Sequence, residues 1–132
     1  MSKLISELVR ATQSLSKNKT GALIILEREI GINDFVETGI KLDAVVSAEL
    51  FLNIFEPNTP LHDGAAIIRG DRIIAAGCFL PLTDSPYLSK QLGTRHRAAL
   101  GITEVSDAIA IIVSEETGTI SVADEGKLTR YL

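Results

Sequence analysis

Cysteine is nearly absent from this chain, which carries only Cys78. An internal disulfide is therefore excluded, and a reducing compartment suits the sequence. Cys78 lies inside an apolar run and reads as a small core residue rather than a nucleophile. An excess of basic residues is also missing. The formal net charge is −4, so no positive field covers the surface, and nucleic acid is not expected as a partner. A nucleotide ligand would need a local basic cluster. No apolar run approaches the roughly 18 to 20 residues of a membrane span. The opening residues MSKLISELVRATQ have charges interspersed, unlike a signal peptide, so the chain as given reads as soluble. Neither a Walker-type glycine-lysine loop nor a G-x-G-x-x-G is present, which removes the two common nucleotide folds. Repeats, linkers and low-complexity segments are lacking too. What remains is 132 residues of ordinary globular composition, enough for one domain with one real core.

Periodicity divides that length into elements. Leu4, Ile5, Leu8, Val9, Thr12 and Leu15 fall on one helical face, predicting an amphipathic helix over 2–17 that Lys17 to Gly21 ends. ALIILE, 22–27, reads as a buried strand, and 28–43 as loop with short extended pieces. Ser47 can cap a helix that turns Leu50, Phe51, Ile54 and Phe55 inward, and the run Glu56 to Pro60 breaks it. AAIIR and RIIAAGCFL flank Gly70-Asp71, the signature of a two-residue hairpin. Thr83 to Pro86 is a loop that can start a short helix. RHRAALGITEVS is a helix candidate with Thr94 as a possible cap. AIAIIV, 108–113, is another buried strand. Ser114 to Gly118 turns into TISVA, and Asp124 to Gly126 turns into KLTRYL. The order predicts a single α/β domain, a mixed sheet with helices packed on it.

Three polar clusters stand at the ends of the apolar strands: His62-Asp63-Gly64, Gly93 to Arg97, and Ser114 to Gly118. Strand-end loops are where such folds build sites. The chain has only two histidines, and both fall in these clusters. Each cluster alone can be an ordinary turn or exposed helix start. Together they suggest phosphate chemistry. Thr94 and the first amides of the following helix form an anion-binding end, and Arg95 and Arg97 add forked donors. Asp63 and a glutamate offer hard oxygens for Mg²⁺ or Mn²⁺, and His62 suits Mn²⁺. One geometric condition follows. Two residues apart on a helix, Arg95 and Arg97 point about 200° from each other. Either Thr94 to Arg97 is a loop, or the two arginines serve different groups, which suggests a site shared between two molecules.

HDGA at 62–65, GTRHRAALGI at 93–102 and SEETG at 114–118 closely resemble the diadenylate cyclase (DAC) domain, nearest to its membrane-associated CdaA type. ETGIKLDAVVS at 37–47, NIFEPNTPLHDGA at 53–65 and GCFLPLTDS at 77–85 fit the same pattern, so the likeness covers nearly the whole chain. The resemblance implies a mixed β-sheet flanked by α-helices. It implies that two ATP become cyclic di-3′,5′-AMP (c-di-AMP) and two pyrophosphates, with a divalent metal, Mn²⁺, Mg²⁺ or Co²⁺. It implies a homodimer, because one domain holds one ATP and two must face each other for each 3′-hydroxyl to reach the other's α-phosphate. Matched motif by motif, it makes Asp63 a metal ligand that helps activate the 3′-hydroxyl, with Glu116 and His62 as further ligands. Gly64 would let the backbone approach the nucleotide, next to Ala65. Thr94, Arg95, His96, Arg97 and Ser114 would hold phosphates, with Glu115 beside them. Phe79 and Leu80 would line the adenine pocket, the Leu80 main chain reading the base edge. The likeness finally implies that residues 1–132 are the DAC domain of a longer cell-membrane protein, shown here without its transmembrane helices. That domain would lie on the cytoplasmic side, with the membrane and regulatory proteins as partners.

Overall fold

The short apolar runs form strands, because each is buried on both faces and so carries no polar alternation. The computed structural model describes residues 2–84 and 93–130. Helix α1 (Ser2–Lys17) leads into β1 (Ala22–Leu26), the short α2 (Asn33–Val36) and β2 (Ile40–Val45). Then come α3 (Ala48–Ile54), the hairpin of β3 (Ala65–Arg69) and β4 (Arg72–Cys78), and α4 (Thr94–Val105). Strands β5 (Ile109–Val113), β6 (Ile120–Asp124) and β7 (Lys127–Thr129) close the described chain. The strands make one seven-stranded sheet in the order β2-β4-β3-β1-β5-β6-β7. Only β1 and β3 pair in parallel; every other neighbour is antiparallel. The mixed sheet expected from the sequence is therefore present.

Helices cover both faces. On one, Leu8, Ala11 and Leu15 of α1 and Phe51 and Ile54 of α3 pack on Ile24, Ala66, Ile68 and Ile73. On the other, Ala98, Ala99 and Ile102 of α4 and Val36 of α2 pack on Leu23, Ile25, Ile67 and Ile112. Successive residues of β1 thus serve opposite cores, as strand geometry requires. The cap at Ser47 is as expected: its Oγ accepts the Leu50 amide at 3.1 Å.

Several expectations need correction. Ile5 and Val9 are 55% and 46% exposed, so the buried stripe of α1 is narrower than its apolar periodicity suggests. The segment 28–43 contains α2 and most of β2. Helix α2 has no side-chain cap and is held by its buried Ile32 and Val36. Strand β2 is an edge strand whose residues are mostly exposed, with a register shift between Lys41 and Ala44. Neither segment owes its structure to local pattern; both depend on what they pack against. Thr94 is not a cap. Gly93 takes that position with extended backbone, and Thr94 is the first helical residue. The short helix expected near Pro86 lies outside the described residues.

Strand register assembles one end of the sheet. Ala22 pairs with Val113, and Ala65 pairs with Cys78. The starts of β1 and β3 and the ends of β4 and β5 therefore meet along one edge. The segments that continue from them are Thr20-Gly21, His62 to Gly64, Phe79-Leu80 and Ser114 to Glu116.

Candidate functional site

That edge opens into a cavity of about 650 Å³. Its lining includes His62, Asp63, Gly64, Phe79, Leu80, Thr94, Arg95, His96, Ser114, Glu115 and Glu116. All three polar clusters of the sequence thus converge on one space. Two candidates do not join them. Ala65 is 0% exposed and belongs to the core, because as the first residue of β3 it is already paired in the sheet. Arg97 does not line the cavity. Thr94 to Arg97 is regular helix, so of the two arrangements open at that motif the arginines take the divergent one. The Arg97 side chain has no hydrogen-bond or ion-pair partner among the described residues.

Each cluster is set by local structure. His62 sits in the turn before β3, where its Nδ1 lies 2.6 Å from the Thr59 carbonyl oxygen. A carbonyl only accepts, so Nδ1 carries a proton and Nε2 is the ring nitrogen left facing a ligand. Asp63 is exposed beside it, with no side-chain hydrogen bond among the described residues. Gly64 has φ +115°, and a Cβ there would stand 2.7 Å from the Cys78 carbonyl oxygen. The hairpin backbone itself demands this glycine, before any nucleotide is considered.

Helix α4 presents its N-terminus to the cavity. Gly93 offers no side-chain acceptor, and the first turn contains no acidic residue. The leading amides therefore keep their donor capacity and the positive end of the helix dipole for an anion. Arg95 adds a guanidinium whose Nη1 lies 3.7 Å from Glu115 Oε1. Its Nε is buried with no hydrogen-bond partner. His96 is 8% exposed. Burial first, then the charges of Arg130 and Arg95, holds its imidazole below the ordinary histidine value. It therefore enters the site as a neutral hydrogen-bonding group at pH 7.

The third cluster is a closed turn. Gly118 N donates to the Ser114 carbonyl at 2.9 Å, and Ser114 Oγ accepts the Glu116 amide at 3.2 Å. The Ser114 hydroxyl proton stays available to a ligand. Ser16 of α1 braces this turn from behind, its hydroxyl donating to the Gly118 carbonyl at 2.5 Å. The segment after β4 is braced as well. Thr83 N donates to the Arg97 carbonyl at 3.1 Å, and the Thr83 hydroxyl donates to Glu104 at 2.7 Å. This strap leaves Phe79 63% and Leu82 53% exposed along the cavity, an apolar wall beside a polar floor.

The lining also includes Leu23, Cys78, Ala98 and Val113, which sequence reasoning missed. They read as plain core, and only the strand register shows that they end at the site. Burial pushes the Cys78 thiol up to about 11, so it is inert at neutral pH. Among the described residues no three His, Cys, Asp or Glu side chains converge as a metal cage. The carboxylates of Asp63, Glu115 and Glu116 and the imidazoles of His62 and His96 are instead spread along the cavity wall.

A family model described as DAC, DisA bacterial checkpoint controller nucleotide-binding, matches residues 9–128. The chain belongs to the DAC family. The DAC domain is 56% identical over 130 residues to the cyclic di-AMP synthase CdaA of Bacillus subtilis, covering 98% of this chain and 48% of that protein. It is 58% identical over 127 residues to a diadenylate cyclase of Listeria monocytogenes, covering 96% and 46%. The chain thus spans about half the length of the curated relatives it matches. Its fold superposes on a double mutant of DacA from Staphylococcus aureus with TM-score 0.97 and 56% identity, over 99% of this chain and 87% of that one. A Bacillus cereus chain described as a hypothetical membrane spanning protein matches with TM-score 0.93 and 45% identity, over 96% and 62%. No helix among the described residues is long and apolar enough to cross a membrane.

Proposed function

We propose that this DAC domain is a diadenylate cyclase, condensing two ATP into cyclic di-3′,5′-AMP with release of two pyrophosphates. The convergence of three polar clusters on one cavity carries the reading, in a family whose members include proteins named for that activity. The triphosphate lies against the start of α4, where the leading amides, Thr94 and the Arg95 guanidinium donate to its oxygens and neutral His96 donates one hydrogen bond. Ser114 donates its hydroxyl from the opposite wall. Adenine occupies the apolar side formed by Phe79 and Leu80, with the Leu80 main chain on its edge. Asp63 stands at the ribose end and accepts the 3′-hydroxyl proton as that oxygen bonds to the α-phosphorus of the other ATP. The bond from that phosphorus to the β-phosphate bridging oxygen breaks, and pyrophosphate leaves with the electron pair. A divalent ion held by Asp63, Glu116 and His62 would neutralise triphosphate charge and polarise the attacked phosphorus.

One copy of these clusters is half of what a symmetric product needs. We therefore place a second copy face to face with the first, each domain supplying one ATP. Arg97, turned away from its own cavity, is assigned to the partner side. We further place residues 1–132 as the cytoplasmic DAC domain of a membrane-tethered protein with regulatory partners, the setting consistent with the relative described as membrane spanning.

The test is incubation with ATP and Mn²⁺, Mg²⁺ or Co²⁺, with chromatography for c-di-AMP and pyrophosphate. Product should form, at a rate rising faster than linearly with protein concentration while the domain is mostly monomeric. ATP binding without product, across all three metals and up to high protein concentration, would overturn the proposal.

A further inference from the structure

Gly21 lies between α1 and β1, where the sequence alone reads it as part of the helix stop. The structure does not use it that way. Helix α1 ends at Lys17, and the left-handed residue of the turn is Lys19, with φ 50°. Gly21 is buried and lies outside the left-handed region, so its backbone asks nothing special of its side chain.

What fills the space of the missing Cβ is Arg95. A Cβ built on Gly21 would stand 2.5 Å from Arg95 Nη1, 2.7 Å from Cζ and 3.1 Å from Nη2. Those three atoms are the near neighbours, so the flat side of the guanidinium lies against the glycine. The contrast with Gly64 is instructive, since there the obstructing atoms are backbone. At Gly21 the obstruction is the far end of a long side chain, which can swing aside at little cost to the fold. The same guanidinium faces Glu115 and has its Nε buried without an acceptor. Its position is thus set by packing rather than by a full set of hydrogen bonds.

We propose that Gly21 is a positioning residue of the site: the bare Cα seats the Arg95 guanidinium so that its forked donors are held against the cavity. The inference rests on the reading of Arg95 as a phosphate ligand and names a residue outside all three polar clusters. A methyl at position 21 would push the guanidinium by about 1 Å, enough to lose a bidentate geometry.

The experiment is Gly21→Ala alone and in an Arg95→Ala background, read by affinity for a non-hydrolysable ATP analogue, by c-di-AMP formation, by thermal unfolding and by the variant's crystal structure. We expect the melting midpoint of Gly21→Ala to match the wild type and its guanidinium to be displaced. Analogue affinity and kcat/KM should fall about 10- to 100-fold. In the Arg95→Ala background the same substitution should change affinity less than about twofold, because the group it displaces is gone. Wild-type affinity in Gly21→Ala, an equal loss in both backgrounds, an unmoved guanidinium or a collapsed fold would each overturn the inference. A wild type that binds the analogue yet makes no c-di-AMP would instead overturn the proposed reaction, leaving the affinity comparison to judge Gly21.

Discussion

Neutralising Glu115 should tighten the hold on a triphosphate. Its carboxylate stands beside Arg95, so an incoming phosphate meets an arginine that already has an anionic neighbour. At the 3.7 Å separation a pair of unit charges is worth about 1 kcal/mol in a water-like medium and about 4 kcal/mol at an effective dielectric near 20. The side chains are 68% exposed for Glu115 and 25% for Arg95, which places the pair near the aqueous end of that range. Exposed pairs contribute about 0.2 to 1 kcal/mol. Glu115→Gln should therefore raise affinity for an ATP analogue by about 1.4- to 5-fold. Direct repulsion between the carboxylate and the phosphates acts in the same direction. Titration calorimetry without divalent metal reads the effect. The gain should be largest near 10 mM salt, where the screening length is about 30 Å, and should shrink near 150 mM, where it is about 8 Å. Unchanged or weaker binding at low salt would refute this account of Glu115. A loss confined to titrations with Mn²⁺ would assign the carboxylate to the cation instead.

Asp63→Asn removes an exposed carboxylate that supports nothing else in the described fold. The melting midpoint should hold while c-di-AMP formation falls by about 100-fold or more, as loss of a general base predicts. His96 should make stability depend on pH. Its folded value lies below the ordinary 6.5, so the unfolded chain takes up the proton first. The stability tied to neutral His96 is then complete above the unfolded value near 6.5 and drains as pH falls below it. Calorimetry should show the melting midpoint dropping as pH falls below about 6.5, and His96→Gln should flatten that slope. Cys78, buried and pushed up to about 11, should resist thiol reagents at pH 8 in the native protein and react at once in denaturant. Native labelling at the denatured rate would contradict its place in the core.

How much of this could be read beforehand follows from where the determinants lie. Gly70-Asp71 between two apolar runs specifies its hairpin locally, and Ser47 specifies its cap in the same way. Strand β2 and helix α2 could not be read, because the first exists through pairing with β4 and the second through burial of Ile32 and Val36. The site was legible where its residue types are scarce, with both histidines falling in polar clusters at strand ends. The divergence of Arg95 and Arg97 was legible only as one of two arrangements, since it required Thr94 to Arg97 to be helix rather than loop. Ala65 lies in the core and outside the cavity lining, because proximity to Asp63 and Gly64 in sequence says nothing of which way a strand residue faces. Gly21 was invisible as a site residue, because its partner Arg95 lies far along the chain and only the fold brings them together.

The irregular edge of β2 bears on how copies of this chain can meet. An open sheet edge invites another strand to add to it, and two identical edges invite aggregation. Here Asp43 takes φ 60° at the register shift, and Arg72 fixes it by donating Nε to its carboxylate at 2.6 Å and Nη2 to its carbonyl at 2.8 Å. The row of outward amides and carbonyls that a stray strand would read is thereby interrupted midway. At the opposite edge β7 is only three residues long. Among the described residues neither border of the sheet offers a long unbroken template for backbone pairing, which shifts self-recognition towards side chains. A face-to-face encounter through the loops around the cavity can then form without competition from an endless ribbon of sheets.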